Sequence, residues 1–310
     1  MPDDSDSPGD TAPRRPARAL SAPAARKPGW LKVKAPGGEA YAEVRRLVRD
    51  LKLHTVCEEA HCPNVGDCWG HRTATFLILG EICTRSCAYC AVAHGTPEPP
   101  DAEEPRRLAE AAEAMRLRHV VVTSVDRDDL PDGGAGQFAA VVREIRRRMP
   151  ETTVEVLVPD FGGGEAALRV VVEARPDILN HNVETVRRLH RMARPAGDYD
   201  RALELLRRAK SMEPGLVTKS GLMVGLGETW EEAVETVRDL RAAGADLMTV
   251  GQYLRPSARH MPVARFYTPD EFAELGRLGE ALGFRHVESA PLVRSSYHAW
   301  EQAERSGALA

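Results

Sequence analysis

The amino-acid sequence predicts an α/β fold built as a partial (β/α)6 barrel of the TIM type, preceded by an N-terminal extension. Short apolar stretches alternate with segments of helical periodicity, and six such units follow one another along the chain. Alternating strands and helices favour a parallel sheet with helices outside it. Six units favour a partial barrel over a full eightfold one. A third feature is that all six cysteines lie between residues 57 and 90.

Length and composition limit the possible functions. The chain has 310 residues, 43% of them hydrophobic and 28% charged, which is enough for one large domain or two ordinary ones. A net charge of −4 gives no general attraction to polyanions, so nucleic acid is not an expected partner. No stretch approaches the roughly 20 apolar residues that span a bilayer. With no recognisable signal peptide, we expect a cytoplasmic protein without a membrane partner, in which thiols stay reduced.

We divide the chain into four segments. Residues 1–28 are rich in proline, alanine, serine and charge and follow no helix or strand period, which predicts a disordered tail. Residues 29–75 form the N-terminal extension, residues 76–290 the barrel, and residues 291–310 a C-terminal segment.

Six strand candidates define the barrel. Each is a short run rich in apolar and β-branched residues. They cover residues 76–80, 119–125, 152–159, 178–184, 216–226 and 246–254.

Two of the intervening helices have clear end signals. Thr229 and Glu232 form a capping box, and Gly244 suits the end of that helix. The sequence Thr-Pro-Asp-Glu from Thr268 repeats the start signal for a last helix that ends near Gly283.

Polar residues at the carboxyl ends of the strands are candidates for a functional site, because barrels of this kind carry their chemistry there. As a group they are expected to ring one opening. They are Ser124, Asn182, Glu184, Lys219, Glu228, Gln252 and Arg255.

The cysteines fall into two triplets, Cys57, Cys62 and Cys68, then Cys83, Cys87 and Cys90. A disulfide framework suits small secreted domains better than this chain. A structural zinc site remains an alternative, with His54, His61, His71 or His94 as a fourth ligand. Two triplets also suit two iron-sulfur clusters, each held by three thiolates and lacking a fourth cysteine.

The sequence GLGETW at residues 225–230 begins like a dinucleotide-binding loop. Trp230 occupies the place of the third glycine, and no acidic ribose partner follows. The segment therefore fails as a dinucleotide fingerprint.

The second triplet, in CTRSCAYC at residues 83–90, resembles the cluster loop of radical S-adenosylmethionine (SAM) enzymes. The resemblance implies a 4Fe-4S cluster on Cys83, Cys87 and Cys90, with Tyr89 beside it. It also implies that SAM chelates the open iron and is cleaved to a 5'-deoxyadenosyl radical. Ser124, Asn182 and Glu184 are the expected SAM contacts from the strand ends.

The chain also resembles the lipoyl synthase family over residues 40 to 300. The motifs that carry the resemblance are CEEAHCPNVGDCW, FLILGEICTRSCAYC, VVTSVDRDDLPDGGA, HNVET, KSGLMVGLGET, TVGQYLRPSARHMPV and RSSY. This family implies a second, auxiliary 4Fe-4S cluster on Cys57, Cys62 and Cys68, which makes the extension a cluster-binding one. The cluster donates sulfur to carbons 6 and 8 of a protein-bound octanoyl-lysine.

The same resemblance implies a serine ligand for the auxiliary cluster in the RSSY motif, residues 294–297. We predict Ser295, with Ser296 as the alternative, and expect its weak bond to iron to open the cluster for sulfur transfer.

The implied partners are octanoylated lipoyl carrier domains, namely 2-oxoacid dehydrogenase E2 subunits and the glycine cleavage H protein. An electron donor such as ferredoxin or flavodoxin is also implied. Arginines 187, 188, 191 and 194 after HNVET are candidates for docking the carrier, although a solvated helix is the more common explanation of such a charge run. A biotin-synthase-like enzyme or a non-enzymatic zinc scaffold remains an alternative reading.

Overall fold

The computed structural model describes residues 27–33, 35–71 and 73–305. The predicted disordered tail, up to residue 26, and the last five residues of the C-terminal segment lie outside the described residues. The described chain forms one eight-stranded sheet with strand order β1 to β8. The strands are β1 His54–Thr55, β2 Thr75–Ile78, β3 His119–Ser124, β4 Thr153–Leu157, β5 Ile178–Asn180, β6 Val217–Val224, β7 Leu247–Gln252 and β8 His286–Ser289.

Helices precede and connect these strands. The longer ones are α1 Glu39–Asp50, α4 Glu104–Ala114, α5 Ala135–Arg148, α6 Glu165–Glu173, α8 Tyr199–Met212, α9 Trp230–Ala242 and α10 Pro269–Leu282. The shorter ones are α2 Val56–Glu59, α3 Val65–Cys68, α7 Arg187–Ala193 and α11 Ala299–Arg305. None of the helices in the described ranges is both long and apolar enough to cross a membrane.

The sheet confirms the predicted partial barrel. All six predicted strands are present, and β2 to β8 pair in parallel, each with the next strand in sequence. The structure adds two short edge strands, β1, which pairs antiparallel with β2, and β8, which extends the parallel sheet. The fold is therefore an open, mostly parallel α/β sheet.

The predicted fourth strand is shorter than expected. Only Ile178–Asn180 forms a regular strand, and beyond it His181 and Glu184 keep main-chain hydrogen bonds to β6. Glu184 adopts a left-handed backbone with φ of 68°. The residues after β5 are thereby placed at the end of the barrel as a loop that stays attached to β6.

The helix-end signals behave as predicted. Thr229 with Glu232 and Thr268 with Glu271 form complete capping boxes, and each pair satisfies two main-chain N–H groups. Gly283 ends α10 in a left-handed conformation with φ of 88°. This helix is not the last one, because α11 follows it.

A connection between β8 and α11, residues 290–298, crosses to the N-terminal extension. We call it the C-terminal strap. It contacts the extension through a 2.7 Å hydrogen bond from the Asn64 side chain to the Leu292 carbonyl. On its far side, Arg118 stacks over the Trp300 ring of α11 at 4.2 Å. The strap therefore joins the β8 edge of the open sheet to the region that holds the first cysteine triplet.

Candidate functional site

A cavity of about 680 Å³ opens at the carboxyl ends of the central strands. Cys83, Cys87 and Cys90 all line it, on the loop that follows β2. The predicted SAM contacts line the same cavity, namely Tyr89, Ser124, Asn182 and Glu184. The sequence prediction that these residues come together is borne out by their common position, while their role as SAM ligands remains a prediction.

The loop of the second triplet is held by main-chain hydrogen bonds. The N–H groups of Arg85 and Asp126 donate to the Cys83 sulfur at 3.4 and 3.3 Å. The His260 ring contacts the carbonyl of Cys90 at 2.8 Å. These contacts hold the cysteine loop on the cavity wall.

The thiols of this triplet are half-buried. Burial raises the pKa of Cys87 to about 12 and that of Cys90 to about 11, and it also raises the pKa of Cys83. A positively charged metal centre would reverse this shift, because it stabilises the thiolate form directly. The donor set, three thiols from one loop that face a cavity, fits an iron-sulfur cluster.

Tyr89, Asn182 and Glu184 form one hydrogen-bonded group in the cavity wall. Glu184 accepts hydrogen bonds from the side chains of Asn182 and Tyr89. Burial raises the pKa of Glu184, although the nearby Arg194 guanidinium opposes the shift. Burial also raises the pKa of Tyr89, which therefore remains a hydrogen-bond donor.

A buried ionic wall that sequence reasoning missed lies beside this group. Arg85 pairs with Asp128 and Asp160, each at 2.7 Å, and approaches Asp126 at 3.1 Å. Burial disfavours the charge of Arg194, yet Tyr89 and neighbouring carboxylates hold its pKa above the usual value. The sequence gives little indication of this ionic wall, because its residues are single charges on separate loops that only the fold brings together.

Among the described residues, several buried polar atoms in the cavity wall have neither a hydrogen-bond partner nor an ion-pair partner. They are Ser124 Oγ, His181 Nε2, Asn182 Oδ1 and Arg194 Nε. Buried polar groups are normally paired, so a cavity lined by such atoms suits a ligand that carries hydroxyl, ammonium and carboxylate groups. SAM has all three kinds of group, and these residues fit it.

The first triplet precedes β2 in the chain and belongs to the extension. Cys57 is on α2, Cys68 ends α3, and Cys62 lies between the two helices. Burial raises the pKa of Cys57 to about 11 and that of Cys68 to about 12, and the three thiols also repel one another's charge. Cys57 is buried and the other two are half-buried, and this set of three thiols fits a metal centre for the same reason as the second triplet.

The C-terminal strap borders this first triplet. Burial raises the pKa of the Cys62 thiol, and the positive charge of Arg294 opposes this rise. The Tyr297 hydroxyl donates to Asp67 at 3.4 Å. The two serines of the strap face different neighbours. Ser295 accepts a 2.7 Å hydrogen bond from the Asn182 side chain, and Ser296 accepts a 2.6 Å bond from Thr75.

All six cysteines are free thiols in this structure, which contradicts a disulfide framework. A single zinc ion needs ligand atoms grouped closely around one point. Within the described ranges, the group compact enough for one ion is His54, Glu59 and Glu81, and it contains no cysteine. Neither triplet is therefore arranged around a single ion, as a zinc site would require.

Four of the other polar candidates do not ring the opening. Lys219 lies inside the barrel, fully buried against Glu155, because β6 begins at Val217 and places it near the start of the strand. The other three serve the loops. Glu228 accepts from the N–H groups of Gly225 and Leu226, Gln252 bonds to the main chain at Val224 and Tyr267, and Arg255 donates to the His260 carbonyl.

The arginines of the proposed docking surface fall into a buried one and three exposed ones. Arg194 is buried beside the cavity and cannot dock a partner. Arg187 pairs with Asp200 and Arg188 with Glu232, while Arg191 is exposed. The periodicity of a short helix could not show which of these side chains point inward.

Comparisons with known proteins agree with this site. The sequence pattern of the radical SAM superfamily matches residues 77–240, and that of the N-terminal domain of lipoyl synthase of the radical SAM family matches residues 14–62. The chain is 59% identical to lipoyl synthase of Rubrobacter xylanophilus, over 91% of this chain and 89% of the relative. It is 58% identical to lipoyl synthase of Symbiobacterium thermophilum, over 96% of this chain and 94% of the relative.

Solved structures show the same fold at low identity. Methylornithine synthase superposes with a TM-score of 0.53 at 17% identity, over 78% of this chain and 70% of that one. HydG, a maturase of the [FeFe]-hydrogenase, gives 0.52 at 18% identity, over 68% and 49%. Because the curated relatives match nearly the whole chain at high identity, this protein belongs to the lipoyl synthase family of radical SAM enzymes.

Proposed function

We propose that the protein is a sulfurtransferase that inserts two sulfur atoms, at carbons 6 and 8, into an octanoyl chain attached to a lysine of a carrier domain. The observation that carries this proposal is that one cysteine triplet precedes β2 and the other follows it, while the C-terminal strap is hydrogen-bonded both to Thr75 at the start of β2 and to Asn182 in the cavity wall. A short-lived alkyl radical must meet its sulfur donor before any other hydrogen or water, so the two sites must be neighbours.

Cys83, Cys87 and Cys90 would hold one 4Fe-4S cluster, and Cys57, Cys62 and Cys68 the other. When bound, the former supplies the electron that cleaves SAM and the latter supplies the sulfur. Ser295 remains our predicted fourth ligand of the second of these clusters. Ser296 is the alternative. Its hydroxyl is hydrogen-bonded to Thr75, whose main-chain N–H donates to the Cys57 thiol, so Ser296 lies beside the first triplet.

The protein's own side chains bind and orient the ligand. Asn182, Ser124 and His181 offer buried atoms without partners to the groups of SAM, and Arg194 carries a positive charge that suits a carboxylate. Apolar residues such as Leu77, Val125 and Val158 form the rest of the wall and exclude water. Exclusion of water protects a reactive intermediate from side reactions.

The proposed substrates are octanoylated lipoyl carrier domains, among them 2-oxoacid dehydrogenase E2 subunits and the glycine cleavage H protein. Ferredoxin or flavodoxin is the proposed electron donor, and the cytoplasm is the proposed location. The six free thiols suit a reducing compartment of this kind.

Mass spectrometry of a carrier domain tests the proposal. The enzyme is reconstituted with iron and sulfide without oxygen and incubated with an octanoylated carrier domain, SAM and a reductant. The mass of the reduced product should rise by two sulfur atoms, and 5'-deoxyadenosine should form alongside. A carrier domain that keeps its mass while 5'-deoxyadenosine accumulates in the complete reaction would contradict the proposal.

A further inference from the structure

A single carboxamide touches both sides of the site. One N–H of Asn182 donates to Glu184 Oε1 at 3.2 Å, and the same nitrogen donates to Ser295 Oγ at 2.7 Å. Glu184 lines the cavity of the second triplet, whereas Ser295 belongs to the C-terminal strap. Asn182 is therefore hydrogen-bonded at once to the cavity wall and to the strap that borders the first triplet.

Two glycines of the sheet leave the space for this contact. A side chain at Gly221 on β6 would come within 2.7 Å of Asn182 Oδ1, so the amide lies directly on the strand. A side chain at Gly251 on β7 would come within 2.1 Å of the Val293 carbonyl of the strap. Such distances are too short for any real Cβ atom, and they show that amide and strap are both packed tightly against the sheet.

The remaining polar atom of Asn182 is its carbonyl oxygen, Oδ1. Both amide hydrogens are used, but Oδ1 is buried and has no hydrogen-bond partner among the described residues. An unpaired buried acceptor is costly, so a ligand in the cavity that donates a hydroxyl or ammonium hydrogen to it would be favoured. SAM carries donors of both kinds.

The strap in turn contacts the segment of the first triplet on both sides of Ser295. Asn64, two residues after Cys62, donates to the Leu292 carbonyl at 2.7 Å, and Tyr297 donates to Asp67, the neighbour of Cys68, at 3.4 Å. A change in how firmly Ser295 is held is therefore felt at residues near both of these cysteines.

We propose that Asn182 is a positioning residue that links the two cysteine sites, because SAM bound at its Oδ1 fixes the amide that donates to Ser295 and thereby holds the strap against the first triplet. The link is reciprocal by thermodynamic necessity, so an ordered strap also favours SAM binding. The inference rests on the proposed function only in taking SAM as the ligand of the cavity.

Hydrogen-deuterium exchange of the strap measures this link without using turnover. The reconstituted enzyme is compared with and without saturating SAM, and bound SAM is measured by equilibrium dialysis in the same samples. SAM should slow exchange of amides in residues 290–298 by about three- to tenfold, the range that one neutral hydrogen bond provides. Asn182→Ala should lose this slowing when SAM is bound.

Ser124→Ala is the matched control, since its hydroxyl also lies unpaired in the cavity wall. This variant should keep the slowing of the wild type. Ser295→Ala provides a second test that leaves every cavity side chain in place. It is made in a Cys62→Ala background, compared with Cys62→Ala alone, so that loss of the first-triplet cluster cannot produce the effect.

Unchanged exchange of the strap in wild-type enzyme that has bound SAM would overturn the inference. Full slowing in Asn182→Ala, or in Ser295→Ala in the Cys62→Ala background, would overturn it as well. Failure of the proposed function has a different signature, because it would leave the carrier domain without sulfur whether or not SAM changes the strap.

Discussion

The hydroxyl of Thr75 donates a 2.6 Å hydrogen bond to the hydroxyl of Ser296, across 221 residues of sequence. Thr75 is the first residue of β2, and its main-chain N–H donates a hydrogen bond to the Cys57 thiol. The bond therefore anchors the C-terminal strap beside the first triplet, while the neighbouring Ser295 faces Asn182 instead. The two serines of one motif can thus be tested separately.

The first prediction concerns the fourth ligand of the first-triplet cluster. Because a serine oxygen is a poorer match for iron than a thiolate, Ser295→Cys should keep or strengthen cluster assembly but slow or stop sulfur transfer. Ser295→Ala should leave a cluster that is held more weakly by the protein.

Iron content and the yield of doubly thiolated carrier domain are measured for these variants and for Ser296→Cys. If only Ser296→Cys shows this pattern, then Ser296 is the ligand. Wild-type product yield from both cysteine variants would show that the enzyme does not use a labile serine ligand.

The second prediction separates the tasks of the two triplets. Cys87→Ala should abolish cleavage of SAM, because the cavity then lacks the centre that binds and reduces it. Cys62→Ala should still release 5'-deoxyadenosine but form no lipoyl product. Chromatography of 5'-deoxyadenosine and mass spectrometry of the carrier domain provide both readings. Equal loss of SAM cleavage in the two variants would refute this division of tasks.

The third prediction concerns an ion pair inside the barrel. Lys219 Nζ lies 3.0 Å from Glu155 Oε1, and both side chains are inaccessible to water. Removing one partner leaves the other charge buried and unpaired, so Glu155→Leu should lower the free energy of unfolding by about 3–5 kcal/mol. The double variant Glu155→Leu with Lys219→Met should recover most of this loss. Urea unfolding followed by circular dichroism measures both, and a double variant as unstable as the single one would contradict the explanation.

The same pair predicts a dependence of stability on pH. Burial disfavours the charge of Glu155, but Lys219 and His119 hold its pKa at about 2, below the ordinary 4.5. A lowered pKa stabilises the fold above the ordinary value, and the contribution disappears as pH falls from about 4.5 to about 2. The unfolding midpoint of the wild type should drop more steeply across this range than that of the double variant. Parallel curves would show that Glu155 does not titrate in this way.

The fourth prediction concerns the carrier-docking surface. Arg191 is exposed on α7 next to Met192, whose side chain is 56% exposed, and the helix leads directly to Arg194 in the cavity wall. Arg191→Glu should weaken turnover of a carrier domain far more than turnover of a short octanoyl-lysine peptide. The control is Arg143→Glu on α5, an exposed arginine of another helix. Equal effects of Arg191→Glu on both substrates would exclude this surface.

Most of the fold could be predicted because its strands are apolar runs between clear helix signals. β1 and β8 escaped prediction because their sequences, HT and HVES, contain one apolar residue between them and are recognisable mainly by their pairing with neighbours. Lys219 was misplaced for a related reason, as an apolar run does not reveal where a strand begins relative to the sheet. Its depth in the barrel follows from its pairing with Leu247.

The cysteines and the polar residues of the strand ends could be predicted because motif spacing and parallel topology bring them to one place. The ionic wall of Arg85, Asp126 and Asp160 could not, because the three residues lie on separate loops and gain meaning only from mutual contact. Arg194 was assigned to the surface because helical periodicity over seven residues does not define an inward face. The different partners of Ser295 and Ser296 could not be predicted from the sequence, because adjacent residues of a strap can point to opposite sides.

The central claim is that each cysteine triplet holds its own cluster, and anaerobic analysis of iron and sulfide tests it most directly. After reconstitution the wild type should contain about eight iron and eight sulfide per chain, as two cubane clusters require, and Cys62→Ala should contain about half as much. Stoichiometric zinc with little iron in the wild type would contradict the account, as would an iron content that Cys62→Ala leaves unchanged.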